Sequence, residues 1–444
     1  MAAARLLSFQ NKPTYASDER DNPGLRQRQA DLQASGIDVK LGQPFAIDPA
    51  SETVVVSPGI DWYHPVLKAA RDRGVTVMGE AELAWQTLKD IPWVGITGTN
   101  GKTTTTALVE AMFAAAELNA PACGNIGLPL CSVALEALKS GRSPDWIIAE
   151  LSTYQIESAP SLSPTIGAWT TFTADHLARH GSMEAYASIK ASLIERSRQQ
   201  ILNDDDAYLR SLHPDWPQAQ WVSCQHQNGI AYLKPHENET WAWFAGEPVL
   251  PLNELQLIGD HNRQNLLVAI AVARVAGLES DRIRHAVANF AGVPHRLERA
   301  RTIGNVQFVN DSKATNYEAA QVALTAIDTP IVLIAGGKPK VGNDREWLDL
   351  IKAKVAATVL IGEAAEMFRD RLRESEYTEY HLAETLDVAV PKAYELAKTL
   401  ESTSAAVGSP ITVLLSPACA SFDQYPNFER RGDHFRECCA ALAR

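Results

Sequence analysis

The chain has 444 residues, of which 45% are hydrophobic and 21% are charged. This composition is typical of a folded globular protein, and the length allows roughly two to four domains. The formal net charge of −12 argues against a nucleic-acid-binding protein, which needs a surplus of Lys and Arg on one face. The six cysteines show no metal-ligand spacing, and neither a membrane-length apolar run nor a signal peptide is recognisable. We therefore expect reduced thiols and a cytoplasmic location.

The first ninety residues alternate between helical and strand patterns. Asp31–Ser35 has helical character, and Thr53–Val56 is a β-branched run that stops at the turn Ser57-Pro58-Gly59. Val75–Met78 reads as the next strand. Strands that alternate with helices predict parallel pairing in an α/β layer.

A second region opens with the short apolar strand Trp93–Thr97 and continues into a helix at Thr104–Glu117. Further strands are predicted at Trp146–Ala149 and Gly167–Thr171. The stretch Gln218–Pro251 is rich in Trp, His, Asn and Gly, which is typical of a small β-rich insertion.

The last region carries a second doubly wound, Rossmann-like pattern, in which helical segments separate buried strands. These strands are predicted at Val306–Asn310, Pro330–Ala335, Ala357–Ile361 and Ile411–Leu415. We therefore predict an α/β protein of three domains, over residues 1–90, 91–296 and 297–444.

A glycine-rich loop connects the strand at Trp93 to the following helix. Gly98 and Gly101 allow backbone N–H groups to surround phosphate oxygens, and Lys102 adds a positive charge for the outer phosphates. Thr103 offers a hydroxyl to Mg²⁺. Ile96 stands where the common P-loop has its first glycine, so this loop is a shorter variant. The loop predicts nucleotide binding but names no reaction.

Polar residues further along this region each have a functional and a structural interpretation. Glu150 is a candidate Mg²⁺ ligand or a solvated strand-end carboxylate, and His176 is a candidate second-metal ligand or a structural loop histidine. Lys190 lies within a helix, where a surface lysine is the alternative. Asn262 and Asn265 enter an apolar helix, either as caps or as contacts to an adenine edge.

Six short motifs occur here in the order seen in the Mur ligase family, whose members assemble the peptide of the bacterial cell-wall precursor. Folylpolyglutamate synthases are their relatives. Each motif is weak alone, but together they span most of the chain. They are Thr97–Thr103, Gly124–Gly127, Glu150-Leu151-Ser152, Asp175-His176, His261-Asn262 and His295–Glu298.

The last domain resembles the branch of the family that adds D-glutamate to UDP-N-acetylmuramoyl-L-alanine. The resemblance lies in Asn310–Asn316 and Ser416–Gln424, with Phe428 and Arg431-Gly432. It implies that ATP phosphorylates the substrate carboxylate and that the amine of D-glutamate attacks the acyl phosphate. Two Mg²⁺ sites and a monomeric enzyme are expected from the same resemblance.

The resemblance also implies roles for individual residues. The catalytic set is Lys102, Glu150, His176 and Lys190, and Lys190 matches the lysine that the family carbamylates. Metal ligands are Thr103, Glu150, His176 and carbamylated Lys190. The ATP-binding set is Gly98, Thr99, Asn100, Gly101, Lys102, Thr103, Thr104, Asn262, Asn265, Arg296 and Asp311. The substrate-binding set is Ser57, Pro58, Gly59, Asn125, Lys313, Thr315, Ser421, Phe422 and Phe428, with Lys338 or Lys340 as a further cation.

The sequence departs from the family pattern at its start. Met1–Leu7 reads as the helix that follows the family's first strand and Gly-rich loop, so we expect the natural chain to begin upstream; the alternative is a truncated form with impaired UDP binding. The rival functions are another Mur or folylpolyglutamate-type ligase, a truncated non-catalytic nucleotide-binding homologue, and a P-loop ATPase that drives movement. The last needs a water-activating residue and an arginine finger, which the sequence does not display.

Overall fold

The computed structural model describes residues 1–175, 177–339, 342–403 and 410–442. The chain divides into two compact units, each described by itself below. They are Met1–Leu255 with Arg263–Phe290, and Gln256–Asn262 with Ala291–Arg444. The predicted three-domain boundaries stay a prediction.

The N-terminal part of the first unit contains two separate parallel strand pairs with helices between them. Its elements are α1 (Ala2–Phe9), β1 (Tyr15–Asp18), α2 (Pro23–Gln33), β2 (Asp38–Leu41), β3 (Thr53–Val56), α3 (Pro65–Asp72), β4 (Thr76–Gly79) and α4 (Glu80–Leu88). Strand β1 pairs with β2 and β3 pairs with β4. The helix predicted at Asp31–Ser35 is the end of the longer α2, whose start is capped by the Asn22 side chain.

The remainder of the first unit is built on one large sheet. Its helices are α5 (Lys102–Ala115), α6 (Leu130–Ser140), α7 (Thr153–Glu157), α8 (Leu177–His180), α9 (Met183–Glu195), α10 (Ala207–Ser211), α11 (His261–Val275) and α12 (Ser280–Ala288). Its strands are β5 (Trp93–Thr97), β6 (Ala122–Gly124), β7 (Ile147–Glu150), β8 (Ile166–Trp169), β9 (Gln199–Asn203), β10 (Gln220–Ser223), β11 (Ala231–His236), β12 (Glu239–Phe244) and β13 (Glu247–Pro251).

Among the described residues, the strand order of this sheet is β13-β12-β11-β10-β9-β8-β5-β7-β6. Pairing is parallel from β6 to β11, whereas β11, β12 and β13 pair antiparallel. The predicted β-rich insertion therefore extends one edge of the sheet. Every residue of β5, β7 and β8 is buried, as expected for parallel strands covered on both faces. Their carboxyl ends meet at one edge, where ligands bind in open α/β sheets.

Helix α1 packs on α4 and α6 of the same unit. Its Leu6 side chain is fully buried in a cluster with Met78, Leu83 and Leu130. The predicted helical character of the first residues is therefore confirmed.

The second unit is a doubly wound α/β layer. Its strands are β14 (Glu298–Ile303), β15 (Val306–Asn310), β16 (Ile331–Gly336), β17 (Val355–Ile361), β18 (Tyr380–Leu382) and β19 (Ile411–Leu415). Its helices are α13 (Tyr317–Ala326), α14 (Arg345–Lys354), α15 (Ala365–Glu374), α16 (Leu386–Thr403) and α17 (Phe428–Ala441).

In the part of this unit that the structure describes, the sheet has the order β14-β15-β19-β16-β17-β18, and only β14 pairs antiparallel. One apolar core forms where α13, α14 and α15 cover the sheet, around Trp347 and Phe368. A second forms under α16 and α17, around Phe308 and Phe435. The four strands predicted for this region are all present. No helix in the described ranges combines the length and apolar character that a membrane crossing requires.

Candidate active site

The predicted phosphate loop runs from the end of β5 into the start of α5. Gly98 has φ 153° and Gly101 has φ 80°. A Cβ atom at Gly98 would lie 2.0 Å from Thr170 Oγ1, and one at Gly101 would lie 2.3 Å from Asn265 Oδ1. Glycine is therefore required at both positions by backbone conformation and by close approach.

The loop is fastened to the end of β8. The Thr99 N–H donates to the Thr171 carbonyl at 2.8 Å, and the Asn100 N–H donates to Thr171 Oγ1 at 2.9 Å. The Thr170 hydroxyl donates to the Asn100 carbonyl at 2.5 Å. Thr171 therefore holds the loop directly through its side chain.

Two lysines converge on the carbonyl oxygen of Gly98. Lys102 Nζ donates to it at 2.8 Å and Lys190 Nζ at 2.9 Å, while Lys102 also donates to the Thr99 carbonyl at 2.9 Å. Lys190 is only 2% exposed and lies over the Tyr186 ring. The surface-lysine interpretation of this residue is therefore wrong.

The ammonium form of Lys190 is disfavoured by its surroundings. Burial lowers the pKa of Lys190 well below its ordinary value, and the positive charge of Lys102 lowers it further. The neutral amine, which carries a free electron pair, is therefore more accessible here than on a solvated lysine.

Glu150 is the last residue of β7, and only one of its two carboxylate oxygens has a hydrogen-bond partner among the described residues. Its side chain is 1% exposed, and its Oε1 accepts from Asn125 Nδ2 at 2.8 Å. The buried Oε2 has no hydrogen-bond partner among the described residues. A buried carboxylate oxygen without a partner is costly unless a cation binds there. The solvated-carboxylate alternative is therefore wrong, and the orphaned oxygen fits a metal ligand.

The residues after Glu150 form the start of α7. Ser152 caps this helix, and its side chain and that of Gln155 form a reciprocal capping box. The Glu150–Ser152 motif therefore combines a buried strand-end carboxylate with a capped helix start.

A cavity of about 560 Å³ opens beside the loop within the first unit. It is lined by Pro58, Gly59, Ile60, Asp61, Gly98, Lys102, Asn125, Ser152, Thr153, Tyr154, Asp175, Arg179, Tyr186 and Lys190. The structure thus brings the predicted turn after β3 and the predicted phosphate loop to one cavity. Ser57 begins that turn but is exposed and lies outside the lining. His176 lies outside the described residues.

Sequence reasoning did not assign Arg179 or Tyr186 a role in this cavity. Arg179 Nη2 lies 2.7 Å from Glu157 Oε2 and 3.4 Å from Asp61 Oδ1. The Tyr186 hydroxyl lies 3.3 Å from Thr99 Oγ1. Both residues follow the Asp175-His176 motif, and that proximity was the available signal.

The other predicted ATP contacts of the first unit are buried near the start of α5. Thr103 and Thr104 are buried, and Asn265 on α11 accepts from the Thr105 hydroxyl at 3.5 Å. Asn262 belongs to the second unit, where its Nδ2 donates to the Ile258 carbonyl at 2.6 Å.

Asp311 follows β15 in the second unit and is buried. Its Oδ2 accepts from the Ser416 hydroxyl at 2.9 Å, and its Oδ1 accepts from the Leu297 N–H at 3.3 Å. Burial raises the pKa of Asp311 to about 7, although the Ser416 hydrogen bond and the charge of Arg296 oppose the rise. The structure therefore places the two predicted nucleotide contacts Asp311 and Arg296 within electrostatic reach of each other.

Arg431 joins the two segments that were predicted to bind the incoming amino acid. Its guanidinium is 1% exposed and donates to the Ser312 carbonyl at 2.9 Å and to the Cys419 carbonyl at 3.0 Å. It also donates to Ser312 Oγ at 3.0 Å and to the Ala420 carbonyl at 3.2 Å. Lys313 and Ser421 directly follow Ser312 and Ala420, so one buried cation holds the backbone beside both residues.

The predicted amino-acid contacts differ in exposure. Lys313 Nζ lies 5.9 Å from the centre of the Phe428 ring, and Thr315 is half-buried. Ser421 is buried, whereas Phe422 is 67% exposed. The sequence left Lys338 and Lys340 as alternatives. The Lys338 N–H donates to the Ala420 carbonyl at 2.8 Å, which places this lysine beside Ser421, and Lys340 lies outside the described residues.

Comparison with known proteins identifies the family of this chain. Residues 96–273 match the family model of the Mur ligase middle domain. The "UDP-N-acetylmuramoylalanine--D-glutamate ligase" of Gloeothece citriformis is 52% identical over 453 residues, which cover 100% of this chain and 97% of that protein. The chain belongs to the Mur ligase family. The family resemblance carried by the six motifs is thereby confirmed.

Solved structures of the family share the fold at lower identity. The UDP-N-acetylmuramate-alanine ligase of Thermotoga maritima is 19% identical, with a TM-score of 0.59, over 99% of this chain and 96% of that one. The MurF ligase of Thermotoga maritima, solved in complex with ADP, is 17% identical, with a TM-score of 0.55, over 88% of this chain and 96% of that one. At such identities the likeness concerns the fold alone.

Proposed function

We propose that this Mur ligase joins D-glutamate to UDP-N-acetylmuramoyl-L-alanine, with ATP converted to ADP and phosphate. The observation that carries the proposal is the convergence of Lys102 and Lys190 on the Gly98 carbonyl, in a cavity whose lining residue Asn125 bonds to the Glu150 side chain. The relatives at about half identity over the full chain carry the name of a D-glutamate ligase, which supports the choice of substrates.

The reaction has two steps. The substrate carboxylate attacks the γ-phosphate of ATP, which gives an acyl phosphate and ADP. The amine of D-glutamate then attacks the acyl carbon, and the tetrahedral intermediate expels phosphate as the amide forms. Neither step needs a covalent bond to the protein, so the residues act by positioning and charge neutralisation. Lys102 neutralises the outer phosphates, and the N–H groups of Gly98–Thr104 hold them.

The metal ligands proposed for Mg²⁺ are Thr103, Glu150, His176 and carbamylated Lys190. The orphaned Oε2 of Glu150 fits this role, because an oxygen ligand without a protein partner is what a hard cation requires. When bound, Mg²⁺ neutralises negative charge on the phosphates and on the acyl phosphate. Two ions are proposed, as the sequence resemblance implies.

Carbamylation of Lys190 is consistent with its environment. A neutral amine attacks CO₂ to give a carbamate and release one proton, and the lowered pKa of Lys190 favours that neutral amine. The product carries carboxylate-like oxygens in place of an ammonium, which would suit a cation. The hydrogen bond from Lys190 Nζ to the Gly98 carbonyl positions this group beside the phosphate loop.

The remaining roles follow the sequence resemblance. Asn262, Asn265, Arg296 and Asp311 contact the nucleotide, and Ser57, Pro58, Gly59 and Asn125 contact the UDP substrate. The two carboxylates of D-glutamate need donors, and we assign these to Lys313, Thr315, Ser421, Lys338 and the backbone near Phe422 and Phe428. A cytoplasmic monomer with domains at 1–90, 91–296 and 297–444 completes the proposal.

The decisive experiment measures phosphate release from ATP with Mg²⁺ and UDP-N-acetylmuramoyl-L-alanine. We expect release to rise on addition of D-glutamate and to stay at background with L-glutamate. Equal release with both isomers would overturn the D-glutamate assignment and favour another Mur or folylpolyglutamate-type ligase. No release with any amino acid would favour the non-catalytic alternative.

The carbamate role has its own test. Lys190→Ala should abolish phosphate release, because it removes a proposed oxygen ligand. Short-chain carboxylic acids should partly restore it by supplying the missing oxygens. The matched control is Lys139→Ala on the exposed face of α6, which should retain full activity. Absence of rescue in Lys190→Ala would contradict the carbamate role.

A further inference from the structure

A cluster of three chemically different side chains lies in the second unit, outside every residue used above. Asp387 stands in the first turn of α16, and His434 and Cys438 stand one turn apart on α17. Because residues four apart share one helix face, His434 and Cys438 point to the same side. One ligand atom from each of the three side chains lies within 4.8 Å of the other two.

The imidazole of His434 has a hydrogen-bond partner at each of its two ring nitrogens. Its Nδ1 lies 2.8 Å from the Tyr425 hydroxyl, and its Nε2 lies 3.2 Å from Asp387 Oδ1. Metal-binding histidines commonly have one ring nitrogen held by such an outer partner, which fixes the ring and aims the other nitrogen at the ion. Tyr425 therefore supplies the outer partner, and Nε2 faces the centre of the cluster.

The three donors suit a particular class of ion. A thiolate and an imidazole select borderline or soft divalent ions, and a carboxylate completes a tetrahedral set with one position left for water. Hard ions such as Mg²⁺ prefer oxygen ligands alone. The Cys438 side chain is half-buried and Asp387 is exposed, so the cluster lies near the surface, where an ion can enter.

We infer that Asp387, His434 and Cys438 form a binding site for a divalent transition-metal ion, with Zn²⁺ as the best match. The simpler interpretation is a hydrogen-bonded chain from Tyr425 through His434 to Asp387. That chain accounts for two of the three side chains, and packing against the core under α16 and α17 accounts for the partial burial of Cys438. Neither requires the Cys438 thiol to lie within 4.8 Å of a ligand atom of both other residues, as it does. The thiol supplies the ligand that discriminates Zn²⁺ from Mg²⁺.

An ion at this site would cross-link the start of α16 to the middle of α17. Tyr425 connects the cluster to the segment that carries Ser421, because its N–H donates to the Ser421 carbonyl at 2.8 Å. Gln424 in the same turn donates through Nε2 to the Glu384 carbonyl at 2.6 Å. Metal binding would therefore stabilise the turn from Ser421 to Tyr425 from outside the proposed amino-acid site.

The test uses Co²⁺ as a spectroscopic probe on the full, reduced chain without a polyhistidine tag. We expect a sulfur-to-cobalt charge-transfer band that saturates at one Co²⁺ per chain and disappears when Zn²⁺ is added. Cys438→Ser should lose the charge-transfer band, and His434→Ala should weaken Co²⁺ binding at least tenfold. The matched control, Cys224→Ser, removes a half-buried thiol of the first unit and should leave the band unchanged.

A second measurement guards against misfolded variants. One equivalent of Zn²⁺ should raise the thermal midpoint of the wild-type chain and leave that of Cys438→Ser unchanged. Metal-free Cys438→Ser should keep the wild-type midpoint and its ATP-dependent phosphate release. A band that survives in Cys438→Ser, or a wild-type chain without any band, would overturn the site. Either result would leave the proposed ligase activity untouched.

Discussion

The phosphate loop of the first unit and the amino-acid segments of the second unit are built in opposite ways. The loop is one continuous stretch, Gly98–Thr103, whose lysine bonds to carbonyls three and four residues away. The proposed amino-acid segments, Asn310–Asn316 and Ser416–Gln424, are distant in the sequence and are joined by the buried Arg431. In the first region the lysine that we propose as a phosphate ligand also bonds to its own loop. In the second, Arg431 holds the segments that carry Lys313 and Ser421, the residues that we propose as ligand contacts.

The difference predicts how each region fails. Loss of a charge in the phosphate loop should remove transition-state stabilisation and leave the fold intact. Loss of Arg431 should disturb the arrangement of Lys313 and Ser421 and leave the nucleotide chemistry intact. Substitutions in both units test this contrast.

Lys102→Ala should lower kcat by about 10²–10³-fold, because it removes a preorganised charge from the site of developing negative charge. The measurement is steady-state phosphate release at saturating substrates, with circular dichroism to show that the variant is folded. Lys139→Ala serves again as the exposed-lysine control. A loss below tenfold would show that Lys102 is not the main phosphate cation.

Arg431→Lys should raise the KM for D-glutamate about tenfold or more and leave the KM for ATP nearly unchanged. Lysine cannot reproduce the fork of donors, and each buried carbonyl left without a partner costs about 1–3 kcal/mol. The neighbouring exposed residue provides the control, because Arg430→Lys should leave both constants at wild-type values. Equal changes in both KM values would refute the division of labour between the two regions.

Arg179→Gln should raise the KM for the UDP substrate several-fold with little change in kcat. The substitution removes a cation from the cavity wall and leaves Glu157 and Asp61 without their ionic partner. Arg198→Gln, on an exposed position of the same unit, is the comparison variant. An unchanged KM would show that Arg179 has only a structural role, through its ion pair with Glu157 at the end of α7.

Asp311→Asn should change how thermal stability depends on pH. The pKa of Asp311 lies near 7 in the folded chain, above its unfolded value of 3.8, so folding takes up a proton between these values. The contribution of this group to stability therefore falls as pH rises from about 4 to about 7. We expect the thermal midpoint of Asp311→Asn, relative to wild type, to improve from pH 5 to pH 8. A constant difference would contradict a raised pKa.

The sequence predicted the buried parallel strands of both units well because their signals are local. The strand at Trp93–Thr97 and the strands at Val306–Asn310 and Ile411–Leu415 have the predicted bounds. Glycine spacing and Lys102 identified the loop without knowledge of distant contacts.

The tertiary roles were outside the reach of sequence patterns. Arg431 was noticed as part of a family-like motif, but four hydrogen bonds to residues 11–12 and 119 positions away cannot be inferred from spacing. Arg179 likewise acquires its partners only when Asp61 folds against the same cavity. Lys190 looked like an ordinary helix lysine, and only its burial shows otherwise.

The hydrogen bonds of Lys102 occupy the ammonium group that the proposed function assigns to phosphate. Its ammonium already satisfies the carbonyls of Gly98 and Thr99, so an arriving phosphate exchanges these partners and does not fill an empty position. Such an exchange replaces the lysine's hydrogen bonds to carbonyl oxygens with hydrogen bonds to phosphate oxygens. Its net free energy is small compared with the strength of either set of hydrogen bonds. Under the proposed function, the loop is thus suited to repeated turnover, because Lys102 can return to the Gly98 and Thr99 carbonyls when ADP leaves.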